Sequence, residues 1–227
     1  SQPRGAKFLG LHLEGPFLNP ARNGAIPRDC LLPPDLRLIK RWVEMGEGII
    51  GHVTLAPELD GATQVIDYLV QSGVTVSLGH TDATYDQMIA GFRAGATAVT
   101  HTFNAMRGFH HREPGPVGAA LTYDDAYCEL IADGIHVHEA AMRLLIRAKG
   151  VDRVCLVSDA LPMAGLAPGR YEFLGQEITL EESGRCLLSN GTLAGSTLML
   201  KDGLRVLVER LGVPFETALR MATVNPA

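Results

Sequence analysis

The sequence predicts an α/β fold of the (β/α)8 TIM-barrel type, in which parallel strands alternate with helices. Short apolar runs rich in β-branched residues alternate with longer segments of helical period, which indicates parallel strands joined by crossover helices. The strand candidates are almost continuously apolar, as strands covered on both faces are. Polar residues follow nearly every strand candidate, which is typical of the active-site end of such a barrel.

Length and composition fit one or two globular domains. The chain has 227 residues, 46% of them hydrophobic, and a formal net charge of -5, which is enough apolar chain for a sizeable core and excludes a disordered protein. With no basic run and only 6% aromatic residues, we expect no nucleic-acid partner. No apolar run approaches the roughly 20 residues of a membrane span, so we expect no membrane association. Four cysteines without a Cys-x-x-Cys pair favour a reducing, cytoplasmic location.

The predicted strands are short runs of residues that favour extended structure. In chain order they are Phe8–Glu14, Gly48–Leu55, Val74–Leu78, Ala98–His101, Cys128–Ala132 and Val154–Ser158. Residues 171–189 differ, because three short extended pieces separated by glycine-containing turns predict a β-hairpin insertion there.

The predicted helices lie between the strands or close the chain. Pro34 and Asp35 mark the first turn of the first helix, and Thr84 is a capping residue for the third. In order the helices are Pro34–Met45, Ala62–Gln71, Thr84–Ala94, Glu139–Lys149, Leu198–Leu211 and Phe215–Thr223. No Ser/Gly linker divides them, so we predict one domain over residues 1–227.

The residues after the strands have the chemistry of a metal-dependent hydrolase. Glu14, His80 and His101 lie at the ends of three different strands and offer one carboxylate and two imidazoles, a donor set that favours Zn, Fe, Co or Mn over Ca or Mg. Water on such a metal becomes a nucleophile near neutral pH. Asp159 follows the last strand, where it can move a proton from that water to a leaving group.

Other polar residues have ordinary alternatives. Asn104 and His136 are candidates to orient a substrate, and Arg112 is a candidate to hold an anionic group or an ordinary surface residue. Asp82 and Asp133 remain alternatives to Asp159 as the proton shuttle. The remaining histidines are expected in structural roles: His12 beside the metal ligands, His52 in the core or lining a pocket, His138 at a helix start, and His110 and His111 in solvent.

Seven segments together resemble the N-acetylglucosamine-6-phosphate deacetylases of the amidohydrolase superfamily. They run in the family's order over nearly the whole chain. The segments are Gly10–Phe17, Leu78–Asp82, Thr100–Met106, Arg112–Gly115, Ile131–His136, Val157–Ala160 and Asn190–Ser196.

The resemblance implies removal of the acetyl group from N-acetylglucosamine 6-phosphate, with release of glucosamine 6-phosphate and acetate. It implies that Glu14, His80 and His101 bind a divalent metal, zinc before iron, cobalt or manganese, and that Asp159 is the acid/base. It also implies a homodimer in which Arg112 reaches across the interface to the phosphate of the substrate. A set of substrate-binding residues is implied as well. These residues are Asn104, Ala105 through its backbone, Arg112, His136 and Leu193.

The chain departs from the family at two places. Ile26 stands where the family often has a carbonyl-polarising histidine, so either the metal polarises the carbonyl alone or another group such as His52 or His136 helps. The family's upstream His-x-His pair and its small β domain have no counterpart in these residues. A barrel typically needs about 250 residues, so we expect units three to eight of a longer enzyme, or a partner that covers the open edges.

Two alternatives stay open from the sequence. One is another amidohydrolase with a different amide substrate, such as a cyclic amide or an N-acyl amino acid. The other is a non-catalytic barrel fragment that is structural or binds a phosphosugar, in which Glu14, His80 and His101 hold no metal. Metal content separates the second alternative from both enzymes.

Overall fold

A six-stranded parallel sheet organises the protein, whose computed structural model describes residues 7–227. The strands pair in sequence order, each with the next, so their carboxyl ends lie along one edge. This arrangement, with helices between the strands, confirms the predicted partial (β/α) barrel. The strands are β1 (Leu11–Glu14), β2 (Ile50–Leu55), β3 (Thr75–Leu78), β4 (Ala98–Val99), β5 (Tyr127–Ile131) and β6 (Val154–Val157).

Seven α-helices are described in these residues, and five begin and end close to the predicted positions. They are α1 (Leu36–Met45), α2 (Ala62–Gln71), α3 (Tyr85–Arg93), α4 (Gly115–Thr122), α5 (Glu139–Lys149), α6 (Leu200–Arg205) and α7 (Phe215–Thr223). The Asp35 side chain accepts hydrogen bonds at the start of α1, and Thr84 and Gln87 form a capping box on α3. No helix in the described part of the chain is long and apolar enough to cross a membrane.

Two helical predictions were wrong in detail. The helix α4 was not predicted, because it is buried over Gly115–Ala120 and lacks the polar face that produces a helical period. The predicted helix Leu198–Leu211 is not continuous. It consists of α6 followed by a π-helical turn, Val206–Arg210.

Five of the six strands of the main sheet are shorter than predicted, by one to three residues, and β1 and β4 show the reasons. Phe8 and Leu9, predicted to open β1, are 60% and 83% exposed and precede the strand. The strand β4 ends at Val99 and not at His101, because His101 has a φ of 28°, which is incompatible with extended backbone.

The predicted insertion is confirmed as a separate three-stranded antiparallel sheet. Its strands are β7 (Gly169–Phe173), β8 (Gln176–Leu180) and β9 (Cys186–Leu188), paired in that order. Met163, Ile178, Leu180, Cys186 and Leu188 are buried in a small core of their own. The insertion therefore has independent packing while standing next to the carboxyl edge of the main sheet.

Candidate active site

A cavity of about 340 Å³ opens at the carboxyl edge of the main sheet. The segments that follow β1, β3, β4, β5 and β6 contribute its polar lining, and the insertion contributes an apolar wall. The lining residues include Glu14, Ile26, His80, His101, Asn104, Ala105, His136, Asp159, Leu161, Phe173, Leu174, Thr192 and Leu193. The structure therefore brings together eight of the nine site residues predicted from the sequence.

Glu14, His80 and His101 form the tightest polar group in this cavity. Glu14 Oε1 lies 3.0 Å from His80 Nε2 and 2.9 Å from His101 Nε2, and the two nitrogen atoms are 3.1 Å apart. The histidines are each 5% exposed, while the Glu14 side chain is 32% exposed. The three donor atoms thus converge on one point at the open end of the cavity.

The donor set fits a divalent transition metal. Neighbouring ligand atoms around a tetrahedral metal with bonds of about 2.0–2.1 Å lie about 3.3 Å apart, close to the observed spacing. His80 Nδ1 lies 2.8 Å from the carbonyl oxygen of Arg22, which can only accept, so Nδ1 carries the proton. The Nε2 atom of a neutral His80 then has its lone pair free for a metal.

The electrostatics of the group also favour a cation. Desolvation opposes ionisation of Glu14, but its hydrogen bonds with His101 and His80 outweigh this and hold the pKa of Glu14 well below its usual range. Burial alone would lower the pKa of His101, yet the bond to Glu14 raises it to about 9. Both shifts favour positive charge beside the Glu14 carboxylate, as a bound cation would supply.

Asp159 is the carboxylate best placed to exchange protons in the cavity. Desolvation raises the pKa of Asp159. The charged groups that act on it include Glu14, His101 and His136. It has a φ of 48°, a left-handed conformation that turns the chain sharply after β6. A carboxyl group with a raised pKa can accept and release a proton during one reaction cycle.

The two alternative proton shuttles are committed to other partners. Asp82 is held by Arg22 and Arg107 at 2.7–2.8 Å, and the hydrogen bond from Arg107, with that from Arg22, lowers its pKa. Asp133 Oδ2 lies 2.6 Å from His136 Nδ1. Burial would raise the pKa of Asp133, but this bond keeps it below the ordinary value.

The candidate substrate-binding residues surround the polar group. His136 is fixed by Asp133, whose second oxygen accepts the His136 N–H. Asn104 Nδ2 donates to the carbonyl oxygen of His101 at 3.1 Å. Ala105, whose φ is 48°, lines the cavity. Leu193, in the segment after β9, lines it as well. Their arrangement presents amide, imidazole and backbone groups to a polar ligand.

Arg112 lies outside the lining of this cavity within one chain. It is exposed, and its Nη1 atom lies 2.9 Å from His111 Nε2. His110 and His111 are exposed as predicted. His138 caps α5, where its Nδ1 accepts from the Ala140 N–H, which confirms its predicted role at a helix start.

A second polar group lies below the cavity. His12, His52 and Glu129 place donor atoms within 4.8 Å of one another. Burial raises the pKa of Glu129 to about 7 and lowers that of His52 to about 4. Since Glu129 Oε2 accepts the N–H of His101, this group supports the backbone of a candidate metal ligand.

Sequence reasoning missed the parts of the site that depend on loops and backbone conformation. His80, His101 and Asp159 all have positive φ values, which residues other than glycine seldom adopt. The apolar wall of Phe173 and Leu174 belongs to the insertion, which the sequence placed only near the mouth. Neither feature leaves a spacing pattern by which the sequence could reveal it.

Comparisons with known proteins find relatives of one kind. A model of the amidohydrolase family matches residues 4–227. N-acetylglucosamine-6-phosphate deacetylase from Bacillus subtilis (strain 168) is 47% identical over 224 residues, which cover 98% of this chain and 56% of the relative. N-acetylgalactosamine-6-phosphate deacetylase from Escherichia coli O157:H7 is 42% identical over 98% of this chain and 59% of its own length.

Solved structures with the same architecture lead to the same family. A variant of N-acetyl-D-glucosamine-6-phosphate deacetylase from Mycobacterium smegmatis, in complex with N-acetyl-D-glucosamine-6-phosphate, superposes with a TM-score of 0.93 at 40% identity, covering 96% of this chain and 58% of that one. The enzyme from Pasteurella multocida gives 0.92 at 33% identity, over 100% and 58% of the two chains. This chain spans little more than half the length of these relatives, and it belongs to the amidohydrolase family.

Proposed function

We propose that this chain carries the catalytic centre of a metal-dependent deacetylase that acts on N-acetyl-D-glucosamine 6-phosphate in amino-sugar catabolism. The products are glucosamine 6-phosphate and acetate. The observation that carries the proposal is the convergence of Glu14, His80 and His101 beside Asp159 in one cavity. The relatives at 47% and 40% identity are named for this reaction, which supports the choice of substrate.

The proposed metal ligands are Glu14 Oε1, His80 Nε2 and His101 Nε2. A divalent ion there, zinc before iron, cobalt or manganese, would supply Lewis acidity and an activated water. Asp159 takes a proton from the attacking water and delivers it to the leaving nitrogen. Its raised pKa suits both steps, because the carboxylate must accept a proton and then release it.

The proposed substrate contacts use the remaining polar groups of the cavity. His136 holds the sugar, and Asn104 and the Ala105 backbone hold the phosphate-bearing end. Leu193 lies beside the pocket. Arg112 is exposed within one chain. In a homodimer, it is proposed to bind the phosphate of the substrate held by the neighbouring subunit. Ile26 lines the cavity and offers no side-chain donor, so carbonyl polarisation falls to the metal or to His136.

A specific observation supports a second candidate substrate. One relative at 42% identity is named for N-acetylgalactosamine 6-phosphate, which differs from the glucose isomer only in the configuration at C4. Acetate release from both sugar phosphates, measured side by side with the unphosphorylated sugars, decides which isomer the cavity prefers. A chain that hydrolyses neither phosphate but cleaves another amide would instead support the broader amidohydrolase alternative.

Asp159→Asn tests the proposed mechanism. The change keeps the size of the side chain but removes its ability to accept a proton, so acetate release should fall by at least about 100-fold, the usual range for a lost general acid/base. Bound metal, measured by elemental analysis, should stay at the wild-type level because Asp159 is not among the proposed ligands.

Two results would contradict the proposed function. Near-normal acetate release from the Asp159→Asn variant would remove Asp159 from the mechanism. Less than about a tenth of an equivalent of transition metal in active wild-type protein would favour a different chemistry. The same low metal content in an inactive wild-type chain would favour the non-catalytic alternative.

A further inference from the structure

The orientation of His80 depends on a short segment that precedes it by almost sixty residues. His80 Nδ1 donates to the carbonyl oxygen of Arg22 at 2.8 Å. That oxygen belongs to the 3-10 turn Pro20–Arg22, called the Pro20 turn below. Because the carbonyl selects the tautomer with a proton on Nδ1, the position of the Pro20 turn decides whether Nε2 faces Glu14 with a free lone pair.

An ion pair fastens the end of the Pro20 turn to the segment that carries His80. Arg22 Nε and Nη2 lie 2.8 and 2.7 Å from Asp82 Oδ1, and Asp82 is only two residues beyond His80. The contacts therefore close a small ring, from the His80 imidazole to the Arg22 carbonyl, through the Arg22 side chain to Asp82, and back along the chain.

A partly buried hydrogen-bond network connects the start of the Pro20 turn to the same segment. Asn19 Nδ2 donates to Glu58 Oε1 at 2.8 Å, and the Asn19 N–H donates to the His80 carbonyl oxygen at 2.9 Å. Glu58 also accepts from the Thr81 hydroxyl and from the Asp82 N–H, at 2.5 and 2.7 Å. Glu58 thus holds one end of the turn and leaves the other end to Asp82.

The ion pair is too exposed for its main effect to be on folding. The side chains of Arg22 and Asp82 are 36% and 30% exposed, and pairs of this kind add little to stability. Their geometric effect is specific, because the Arg22 carbonyl is the hydrogen-bond partner of His80 Nδ1 and the ion pair holds the residue that carries it. Loss of the pair should therefore change metal binding more than folding.

We propose that Arg22 and Asp82 are positioning residues that hold His80 in its metal-binding tautomer. Neither touches the metal or the substrate. The inference rests on the proposed metal site, and it adds two residues to which neither the motif match nor the fold assigns a role. It predicts that the metal affinity of the site depends on the side chain of Arg22, which among the described contacts does not touch the His80 ring.

Arg107 supplies a matched control. Its Nη2 atom lies 2.8 Å from Asp82 Oδ2, so Arg107→Gln also removes an ion pair of Asp82. The backbone N–H of Arg107 donates to the carbonyl oxygen of Thr81. Among the described contacts, Arg107 has none with the Pro20 turn or with the His80 ring. If the effect passes through Arg22, the Arg107 variant should keep the orientation of His80.

The test measures Zn²⁺ affinity of metal-stripped protein by competition with a chromophoric chelator. The variants are Arg22→Gln, Asp82→Asn, their double variant and Arg107→Gln. We expect Kd for Zn²⁺ to rise about 10-fold or more in the first two, as for other groups that orient a metal-binding histidine. The double variant should bind Zn²⁺ no more weakly than the weaker-binding single variant, because both changes break the same contact. Arg107→Gln should change Kd by less than about threefold.

A second measurement reports the tautomer directly. Long-range ¹H–¹⁵N spectra of the metal-free protein should show His80 with its proton on Nδ1 in the wild type and a tautomer mixture in Arg22→Gln and Asp82→Asn. Thermal unfolding of the metal-free variants should stay within about 3 °C of wild type, as expected for an exposed pair. A general loss of structure would instead lower Tm in all of them.

The outcomes separate this inference from the proposed function. Unchanged Zn²⁺ affinity and an unchanged tautomer in Arg22→Gln and Asp82→Asn would overturn the inference, as would an equal loss in Arg107→Gln. A wild-type chain that binds Zn²⁺ but releases no acetate would contradict the proposed function alone, because both readouts are made without substrate. A wild-type chain that binds no Zn²⁺ would overturn both.

Discussion

Polar side chains continue below the candidate metal ligands into the interior of the sheet. His12 Nε2 lies 2.8 Å from the Thr54 hydroxyl, which in turn lies 2.6 Å from that of Thr100, and Thr100 donates to Ser77 at 2.6 Å. Thr54, Ser77 and Thr100 are almost fully buried, so each of these bonds replaces one with water. The network joins β1 to β4 directly beneath the cavity.

His52 lies beside this network without sharing in it. Its ring centroid is 4.1 Å from that of His12, and its Nε2 atom is buried with no hydrogen-bond partner among the described residues. Desolvation, followed by the charge of His12, lowers the pKa of His52 to about 4. Folding therefore holds this imidazole neutral at pH values where an unfolded chain would protonate it.

His52 should make the protein less stable in mild acid. Between pH 6.5 and 4 the unfolded state binds the His52 proton and the folded state does not, so the free energy of unfolding falls as the pH falls. From pH 7.5 to 5 the loss due to this residue should be about 1–2 kcal/mol. Urea unfolding of the metal-free protein at both pH values measures it.

His52→Leu provides the comparison for that prediction. The variant lacks the titrating group, so its loss of stability between pH 7.5 and 5 should be smaller than that of the wild type by the same amount. His111→Gln removes an exposed histidine instead and should keep the wild-type pH dependence. Equal acid sensitivity of wild type and His52→Leu would show that His52 is not held neutral by burial.

The residues of the site were predictable where they follow strands. Glu14, His80, His101 and Asp159 stand directly after apolar runs, and parallel strands bring such positions to one edge. Arg22 and Glu58 were not predictable, since they lie in connecting turns and reach the segment around His80 through contacts that no residue pattern indicates. Their partners depend on loop paths that a pattern of residue types does not specify.

At the scale of the elements, the junction between β3 and His80 is very tightly packed. A Cβ atom on Gly79 would lie 2.8 Å from Thr100 Cβ, closer than real Cβ atoms approach, and 3.0 Å from Thr54 Cγ2, which is also unusually tight. Both threonines are buried and hydrogen-bonded, so neither can move away cheaply. Glycine at this position lets β3 pass close to its neighbours before the chain turns at His80.

Gly79→Ala should therefore destabilise the protein and weaken metal binding. Overpacking of this kind costs about 1–3 kcal/mol of unfolding free energy. Displacement of the adjacent His80 should also raise Kd for Zn²⁺. Chemical denaturation and chelator competition measure the two effects on the same variant.

Gly51→Ala is the control for an added methyl group in the same sheet. Gly51 lies in β2, and a Cβ there would meet no atom within 4 Å. Its unfolding free energy should stay within about 0.5 kcal/mol of wild type. If Gly79→Ala were equally harmless, the close approach of β3 to Thr54 and Thr100 would not be needed for the fold.

The elements themselves were predicted as far as their patterns were regular. The ends of α2, α5 and α7 agree with the sequence analysis because each has one apolar stripe and clear terminal residues. The helix α4 has no polar side to give a period, and β4 ends early because His101 turns into the cavity. Both differences have the same cause, because burial and the geometry of the site outweigh the local conformational preference of the residues.

At the scale of the whole molecule, the candidate metal site ties together distant parts of the chain. Glu14 is 66 residues from His80 and 87 from His101; Glu14 ends β1, and the two histidines follow β3 and β4. The alternation of strands and helices predicted this meeting. The role of the insertion as the apolar wall of the cavity was not predictable, because the packing of one sheet against another depends on contacts far apart in sequence.

Because its ligands come from three strands, a bound metal should stabilise the folded sheet as a unit. A ligand at 100 times its Kd that binds only the folded state adds about 2.7 kcal/mol, which for a chain of this size corresponds to a Tm increase of roughly 5–10 °C. We expect this increase for metal-stripped protein on addition of Zn²⁺, and little change with Mg²⁺, which disfavours imidazole donors. In Glu14→Gln the increase should be largely lost, since the only carboxylate of the group is removed, while His111→Gln should retain it. A Glu14→Gln protein stabilised by Zn²⁺ as much as the wild type would place the ion elsewhere in the molecule.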